Sequence, residues 1–378
     1  MLKGSLISGD TSENLGKRAV LVLEDGTTFS GSGFGASKKV YGEVVFNTGM
    51  VGYPEAITDP SYKGQILVQT YPLIGNYGVT STSFESDGPK IEGYVIRELC
   101  QNPSHWASEL SLGEWLKKSG IPGIQGIDTR MLTKHIRTKG TMLGILQVFS
   151  GPEPDHVDQL REEVKCIVHP NTRKLAYEVA TDCIKKFDGQ SDENVVLVDC
   201  GVKLSIIKNL IDRKFNVILV PPRISTSEIL KLNPKAVILS NGPGDPKMYE
   251  EVIVTTRKLI ETQIPILGIC LGSQILALAI GANTYKLKFG HRGQNHPCMD
   301  LKTKRCYITS QNHSYTVDSD SLKKQNASIR LINVNDKTVE GFELEKMRIK
   351  AFQFHPEACP GPNDTNYLFN EFFNILDM

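Results

Sequence analysis

The residues with the clearest chemical potential lie in Pro265-Ile-Leu-Gly-Ile-Cys270-Leu-Gly-Ser-Gln274. A short apolar run ends in Gly268-x-Cys270-x-Gly272, and helical spacing follows from Gln274 to Ile280. Strand, tight turn and helix form the setting of a nucleophile elbow. Such a turn brings backbone against backbone and strains the residue at its tip, so flanking glycines are what it needs. Cys270 would then sit at a helix N-terminus, whose partial positive charge favours a thiolate. The amide of Leu271 would be free to meet a developing oxyanion. Alone, the motif equally describes a buried structural cysteine.

A nucleophilic cysteine needs a base and a group to orient it. His355 closes the run Ala351-Phe-Gln-Phe354, Pro356 follows, and Glu357 stands two residues on. Pro356 enforces an extended bend that can present His355 and Glu357 to one side. An isolated His-Pro-Glu is more often a surface turn. Asn241-Gly-Pro-Gly244 lacks the Lys-Ser/Thr of a phosphate-binding loop. It can instead offer a second backbone amide to an oxyanion. Gln311-Asn312-His313, read as a strand end, offers amide and imidazole groups to a polar substrate, or simply forms a polar turn.

Composition restricts the function classes. The chain has 378 residues, 40% hydrophobic and 22% charged, with a formal net charge of +1. That predicts two or three soluble domains and gives no electrostatic case for nucleic acid or a membrane surface. No apolar run reaches the ~18 residues of a transmembrane helix, and the first 18 residues lack the apolar core of a signal peptide. A cytoplasmic protein is expected. The eight cysteines are scattered without a CxxC pair, which predicts neither a disulfide framework nor a zinc site.

The elements that must position these residues fall into two units. After a loose extension over 1–18, residues 19–150 read as one domain. It opens on a hairpin turning at Asp25-Gly26 and has strands at Val44-Val-Phe46 and Gln65-Ile-Leu-Val-Gln69. Helices follow at Leu112 to Lys118 and Thr129 to Thr138, the latter capped by Gly140, with a turn at Pro122-Gly123. Residues 151–194 read as a connection with some helix at 155–164. From Val195 strand and helix alternate four times, which predicts a doubly wound, mostly parallel α/β sheet over 195–378. In such sheets ligands bind beyond the carboxyl ends of the strands, where Cys270 and the Gly242–Gly244 loop both fall.

Together, Gly268-Ile-Cys-Leu-Gly272, Asn241-Gly-Pro-Gly-Asp-Pro246 and Phe354-His-Pro-Glu357 resemble a class I, triad-type glutamine amidotransferase. Further blocks narrow the resemblance to the glutaminase (small) chain of carbamoyl-phosphate synthetase. They are Gly290-His-Arg-Gly-Gln-Asn-His-Pro297, Ser310-Gln-Asn-His313 and Pro360-Gly-Pro362, with Gly42-Glu-Val-Val-Phe-Asn-Thr48, Thr58-Asp-Pro-Ser-Tyr62 and Gly126-Ile-Asp-Thr-Arg130 in the first half. The resemblance runs from about residue 19 to the end, and implies a separate small-chain N-terminal domain of α/β type before the amidotransferase domain.

The resemblance implies that Cys270 attacks the carboxamide of glutamine, His355 moves the protons and Glu357 orients it. The amides of Leu271 and Gly242 would form the oxyanion hole. Gln274, Gly244, Asn312, Ser314 and Tyr315 match positions that hold glutamine, with Leu271 and Gly242 beside them and His313 among them. Gly49 is matched to an N-domain position on the substrate loop where relatives carry Ser. The resemblance further implies release of ammonia to a large ATP-dependent synthetase subunit or fused domain, which makes carbamoyl phosphate, for pyrimidines in preference to arginine. ATP and Mg would be used by that partner; no cofactor or metal is expected in this chain. Two departures stand out: Ser273 where most relatives have His, and Ser314 where Gly is usual. Ser273 keeps a second reading open, a catalytically impaired regulatory scaffold. A stand-alone γ-glutamyl hydrolase is disfavoured because it would not need the N-terminal half.

Overall fold

The structure is a computed structural model and describes residues 17–151 and 157–374. The extension expected over 1–18 lies almost wholly outside the described residues.

The first unit is a closed seven-stranded barrel. Its strands, in order around the barrel, are Arg18–Leu23, Thr28–Gly35, Pro122–Gln125, Gly93–Val95, Gln65–Gln69, Lys39–Asn47 and Met142–Val148. The hairpin forms where expected: the Thr27 N–H donates to Asp25 Oδ1 at 3.0 Å, and Gly26 takes a φ of 86°. The first strand is apolar on both faces for a reason. Leu21 and Leu23 point into the barrel, while Val20 and Val22 pack outward against Leu160 and Val164 of the helix Val157–Lys165. That helix belongs to the segment read as a connection, so part of this segment is built onto the barrel wall.

One expectation is corrected here. Pro122-Gly123, read as a turn, opens a strand. Pro at the first position of a strand withdraws no ladder hydrogen bond from its interior. Gly123 is required because a Cβ there would meet the Phe34 ring at 2.4 Å.

The second unit is a ten-stranded sheet. Five neighbouring strands, Asn216–Val220, Asn194–Val198, Pro234–Leu239, Ile266–Ile269 and Ile349–Phe352, are parallel. Lys185–Phe187 adds an antiparallel edge, and Val339–Leu344, Ser328–Asn333, Thr284–Asp300 and Cys306–Val317 extend the other side antiparallel. Helices cover both faces of the parallel part. Val196 and Val198 pack into one core and Val195 and Leu197 into the other. A strand buried on both faces therefore reads as an unbroken apolar run.

The long ribbon Thr284–Asp300 with Cys306–Val317 was not read as such. Gln311, Asn312 and His313 lie in mid-strand, opposite Gly293, Arg292 and His291, and not at a strand end. Its polar residues are buried because the ribbon runs along the junction between the two units. There the Thr48 N–H donates to the Arg292 carbonyl at 3.1 Å and the Thr141 N–H to the Lys288 carbonyl at 2.9 Å.

Candidate active site

Cys270 follows the strand Ile266–Ile269 and caps the helix Leu271–Ala279, which begins three residues earlier than the spacing predicted. Its backbone is strained, with φ 52° and ψ −107°. Such a conformation costs about 1–3 kcal/mol and persists only where the surroundings enforce it. The flanking glycines are that enforcement. A Cβ on Gly268 would meet the Gly272 carbonyl oxygen at 2.6 Å, and one on Gly272 would meet the Leu239 carbonyl oxygen at 2.1 Å. The Cys270 N–H is tied to the Phe352 carbonyl at 2.8 Å, so the elbow leans on the strand that leads to His355.

Around the thiol, Cys270 Sγ stands 3.6 Å from the Asn312 carbonyl oxygen and 3.8 Å from Gln353 Nε2. Leu271 is the first helical residue, so its N–H has no acceptor within the helix. Gly242 lies against the same corner: a Cβ there would strike the Cys200 carbonyl at 1.9 Å and Leu271 Cδ2 at 2.9 Å. Only glycine lets that loop approach so closely. Gly244 completes the turn at φ 89°.

His355 and Glu357 form one buried unit. His355 Nδ1 donates to Glu357 Oε1 at 2.6 Å, which leaves Nε2 buried without a hydrogen-bond partner. Burial, the largest influence, and Lys203 push the His355 pKa down; the charge and hydrogen bond of Glu357, together with the Cys270 side chain, outweigh them and bring it to about 10. Glu357 is pushed up by its own burial, but His355 and Lys203 bring it down to about 2. The resting arrangement is an imidazolium beside the Cys270 sulfur, its ring orientation fixed by a carboxylate.

Lys203 was missed by sequence reasoning. It is 3% exposed, and its Nζ lies 3.1 Å from Glu357 and 3.7 Å from Glu85 of the barrel, while donating to the Cys359 carbonyl at 3.3 Å. The available signal was its place: a lysine five residues after a buried strand, at the cap of the next helix.

A depression opens beside Cys270. Gly242, Gly244, Leu271, Gln274, Asn312, His313, Ser314 and Tyr315 all line this depression. Gln274 Nε2 donates to the Tyr315 carbonyl at 2.8 Å and to Gln353 at 3.0 Å, which fixes its amide. Asn312 Nδ2 donates to Asp59 of the barrel at 2.8 Å. His355 borders an adjoining depression that shares Asn312.

Gly49 is not brought there. It lines a separate surface depression with Met50, Val51 and Pro360, and its N–H is taken by Asn47 Oδ1 at 2.6 Å. The N-domain hydroxyl that does face the Cys270 depression is Ser61, whose Oγ accepts from Asn241 Nδ2 at 3.0 Å. The helix Tyr53–Thr58 and the turn Pro60–Tyr62 carry the chain inward from Gly49, so Ser61, twelve residues later, arrives at the site. Ser273 lies outside the depression; its Oγ donates to the Cys270 carbonyl at 2.7 Å.

Two family descriptions match the chain in order: carbamoyl-phosphate synthase small chain, CPSase domain, over residues 21–146, and glutamine amidotransferase class-I over residues 196–375. The carbamoyl phosphate synthase small chain of Archaeoglobus fulgidus is 48% identical over 361 residues, 95% of this chain and 99% of its own length. The chain belongs to the carbamoyl phosphate synthase small-chain family. The small chain of Methanopyrus kandleri is 47% identical over 94% of this chain and 98% of its own, and that of Listeria innocua 48% over 96% and 97%. Both halves of the molecule are therefore shared with the small chains, and the barrel is part of the family's architecture. Among the described residues no helix is long and apolar enough to cross a membrane.

Proposed function

We propose that this chain is the glutamine-hydrolysing component of a carbamoyl phosphate synthase, working through a Cys270–His355–Glu357 triad. The observation that carries the reading is Cys270 on a strained elbow at a helix N-terminus, backed by the His355–Glu357 pair. The thiolate adds to the carboxamide carbon of glutamine, and the oxygen takes the negative charge, where the Leu271 and Gly242 amides can donate to it. His355 Nε2 gives a proton to the departing nitrogen, the C–N bond breaks, and ammonia leaves a γ-glutamyl thioester. Water then attacks the thioester, His355 recovers a proton from it, and glutamate departs as the thiolate reforms.

The ammonia passes to a large synthetase subunit or fused domain, which uses ATP and Mg to make carbamoyl phosphate; this chain holds no cofactor of its own. Pyrimidine synthesis, in preference to arginine synthesis, is the pathway served. Support for a partner comes from family membership over nearly the whole chain. The test is ammonia release from glutamine by the purified chain, with and without a synthetase chain, against Cys270→Ser. Cys270-dependent release that rises with the partner is expected. Absence of such release even with the partner would leave only the regulatory scaffold.

A further inference from the structure

We propose that Arg292 recognises the α-carboxylate of the amino-acid substrate and so sets specificity at the Cys270 site; this rests on the glutaminase reading above. Arg292 lies in the long ribbon strand, directly opposite Asn312. The Asn312 carbonyl is 3.6 Å from Cys270 Sγ, and paired strand residues lie about 5 Å apart. Arg292 is thus about one strand spacing from Asn312, on the depression that Cys270 also borders. The carboxamide and carboxylate ends of glutamine are separated by a similar length of three methylene and methine carbons.

The side chain is 2% exposed and borders the depression that Cys270 borders. Its hydrogen bonds go to neutral acceptors: Nη1 donates to the Phe289 carbonyl at 2.9 Å and Nη2 to the Ser314 hydroxyl. Nε is buried and has no hydrogen-bond partner. A buried guanidinium with an unused N–H is costly unless something pairs it. Nε and Nη2 together form the side-on fork that a carboxylate accepts with both oxygens.

The local charge balance points the same way. Glu43 is the carboxylate that attracts Arg292, yet it is already held by Lys286 at 2.6 Å and by the Thr141 hydroxyl at 2.7 Å. One carboxylate therefore faces two cations. Among the described residues no carboxylate borders the depression, and His313, which does, is kept neutral by burial and by the nearby His291 charge. An arriving α-carboxylate would supply the missing negative charge. Ser314, in place of the usual glycine, adds a hydroxyl at the same corner.

The competing role is a structural one, in which Arg292 merely clasps the ribbon against the barrel. Substrate discrimination separates the two. L-Glutamine α-amide keeps the γ-carboxamide and the ammonium but presents a neutral α-carboxamide. Ammonia release from glutamine and from this analogue is measured for the full chain with its synthetase partner, in the native form and in Arg292→Gln and Arg292→Lys. The native ratio of kcat/KM for glutamine over analogue is expected to be about 100 or more, since a site built for a polar group rejects its absence strongly. Arg292→Gln is expected to lower that ratio at least tenfold, mainly through KM for glutamine, and Arg292→Lys to retain part of it. Equal losses on both substrates, with the ratio held, would overturn the proposal. Should Arg292→Gln fail to fold, Arg292→Lys decides: a ratio equal to the native one overturns it. A native chain that releases no Cys270-dependent ammonia from glutamine sinks the glutaminase reading itself, whatever the Arg292 variants do.

Discussion

Replacing Glu357 by Gln takes one negative charge out of a buried cluster and keeps an oxygen able to accept the His355 Nδ1–H. In the native chain Glu357 overrides the effect of burial and holds the His355 pKa at about 10, against an ordinary 6.5. In the variant only the Cys270 side chain still favours protonation, against the larger effects of burial and Lys203, so the His355 pKa falls below its ordinary value. The stability consequence has a definite sign. The raised pKa of His355 contributes stability that is complete below about 6.5 and fades as pH rises through about 10. The lowered pKa of Glu357 contributes stability that is complete above about 4.5 and fades as pH falls through about 2. The pair is therefore at full strength between pH about 4.5 and about 6.5. Breaking a buried ion pair costs about 3–5 kcal/mol, and the hydrogen bond retained by Gln places this variant near the lower end. We expect a loss of about 3 kcal/mol in urea unfolding at pH about 6, shrinking as pH approaches about 10. Turnover should fall further than stability, by about 10²- to 10⁴-fold, because a neutral imidazole has no proton for the departing ammonia. Nuclear magnetic resonance of labelled histidine follows His355 directly. A native His355 titrating near 6.5, or a stability difference that stays constant with pH, would refute the reasoning.

Other outcomes follow from single contacts. Gly272→Ala places a methyl group 2.1 Å from the Leu239 carbonyl oxygen, so unfolding in urea should show a loss of about 3 kcal/mol or more, and glutamine turnover should disappear with Cys270 still present. Ser273→Ala removes a buried hydrogen bond to the Cys270 carbonyl and should cost about 1 kcal/mol, while turnover stays within about threefold because Ser273 does not border the substrate depression. A collapse of turnover in a folded Ser273→Ala would place that hydroxyl in the chemistry. Ser61→Ala should raise KM for glutamine about tenfold, whereas Gly49→Ala, which meets the movable end of Gln294 and Asn47 Oδ1 away from the Cys270 depression, should leave it within about twofold. The reverse order would return the substrate contact to Gly49.

The legible parts of this molecule were those where local geometry dictates residue type. The Cys270 elbow could be read because strain at its tip and contacts of 2.1 to 2.6 Å at its flanks admit only glycine. The parallel strands could be read because burial on both faces leaves only apolar residues. The ribbon Thr284–Asp300 could not, since its glycines and polar residues sit at two register shifts and face a domain junction rather than an apolar core. Ser61, Lys203 and Arg292 escaped for the same reason: each matters through a neighbour far away in the chain. Those neighbours lie across the junction. Asp59 holds Asn312, Ser61 holds Asn241, Glu85 stands by Lys203, and Glu43 attracts Arg292. Cutting the amidotransferase half free would leave Lys203 with Glu357 alone of its two carboxylate neighbours and Asn312 without its acceptor. The barrel is accordingly one wall of the candidate site, and the carboxylates that flank Lys203, beside the His355–Glu357 pair, come from both halves of the chain.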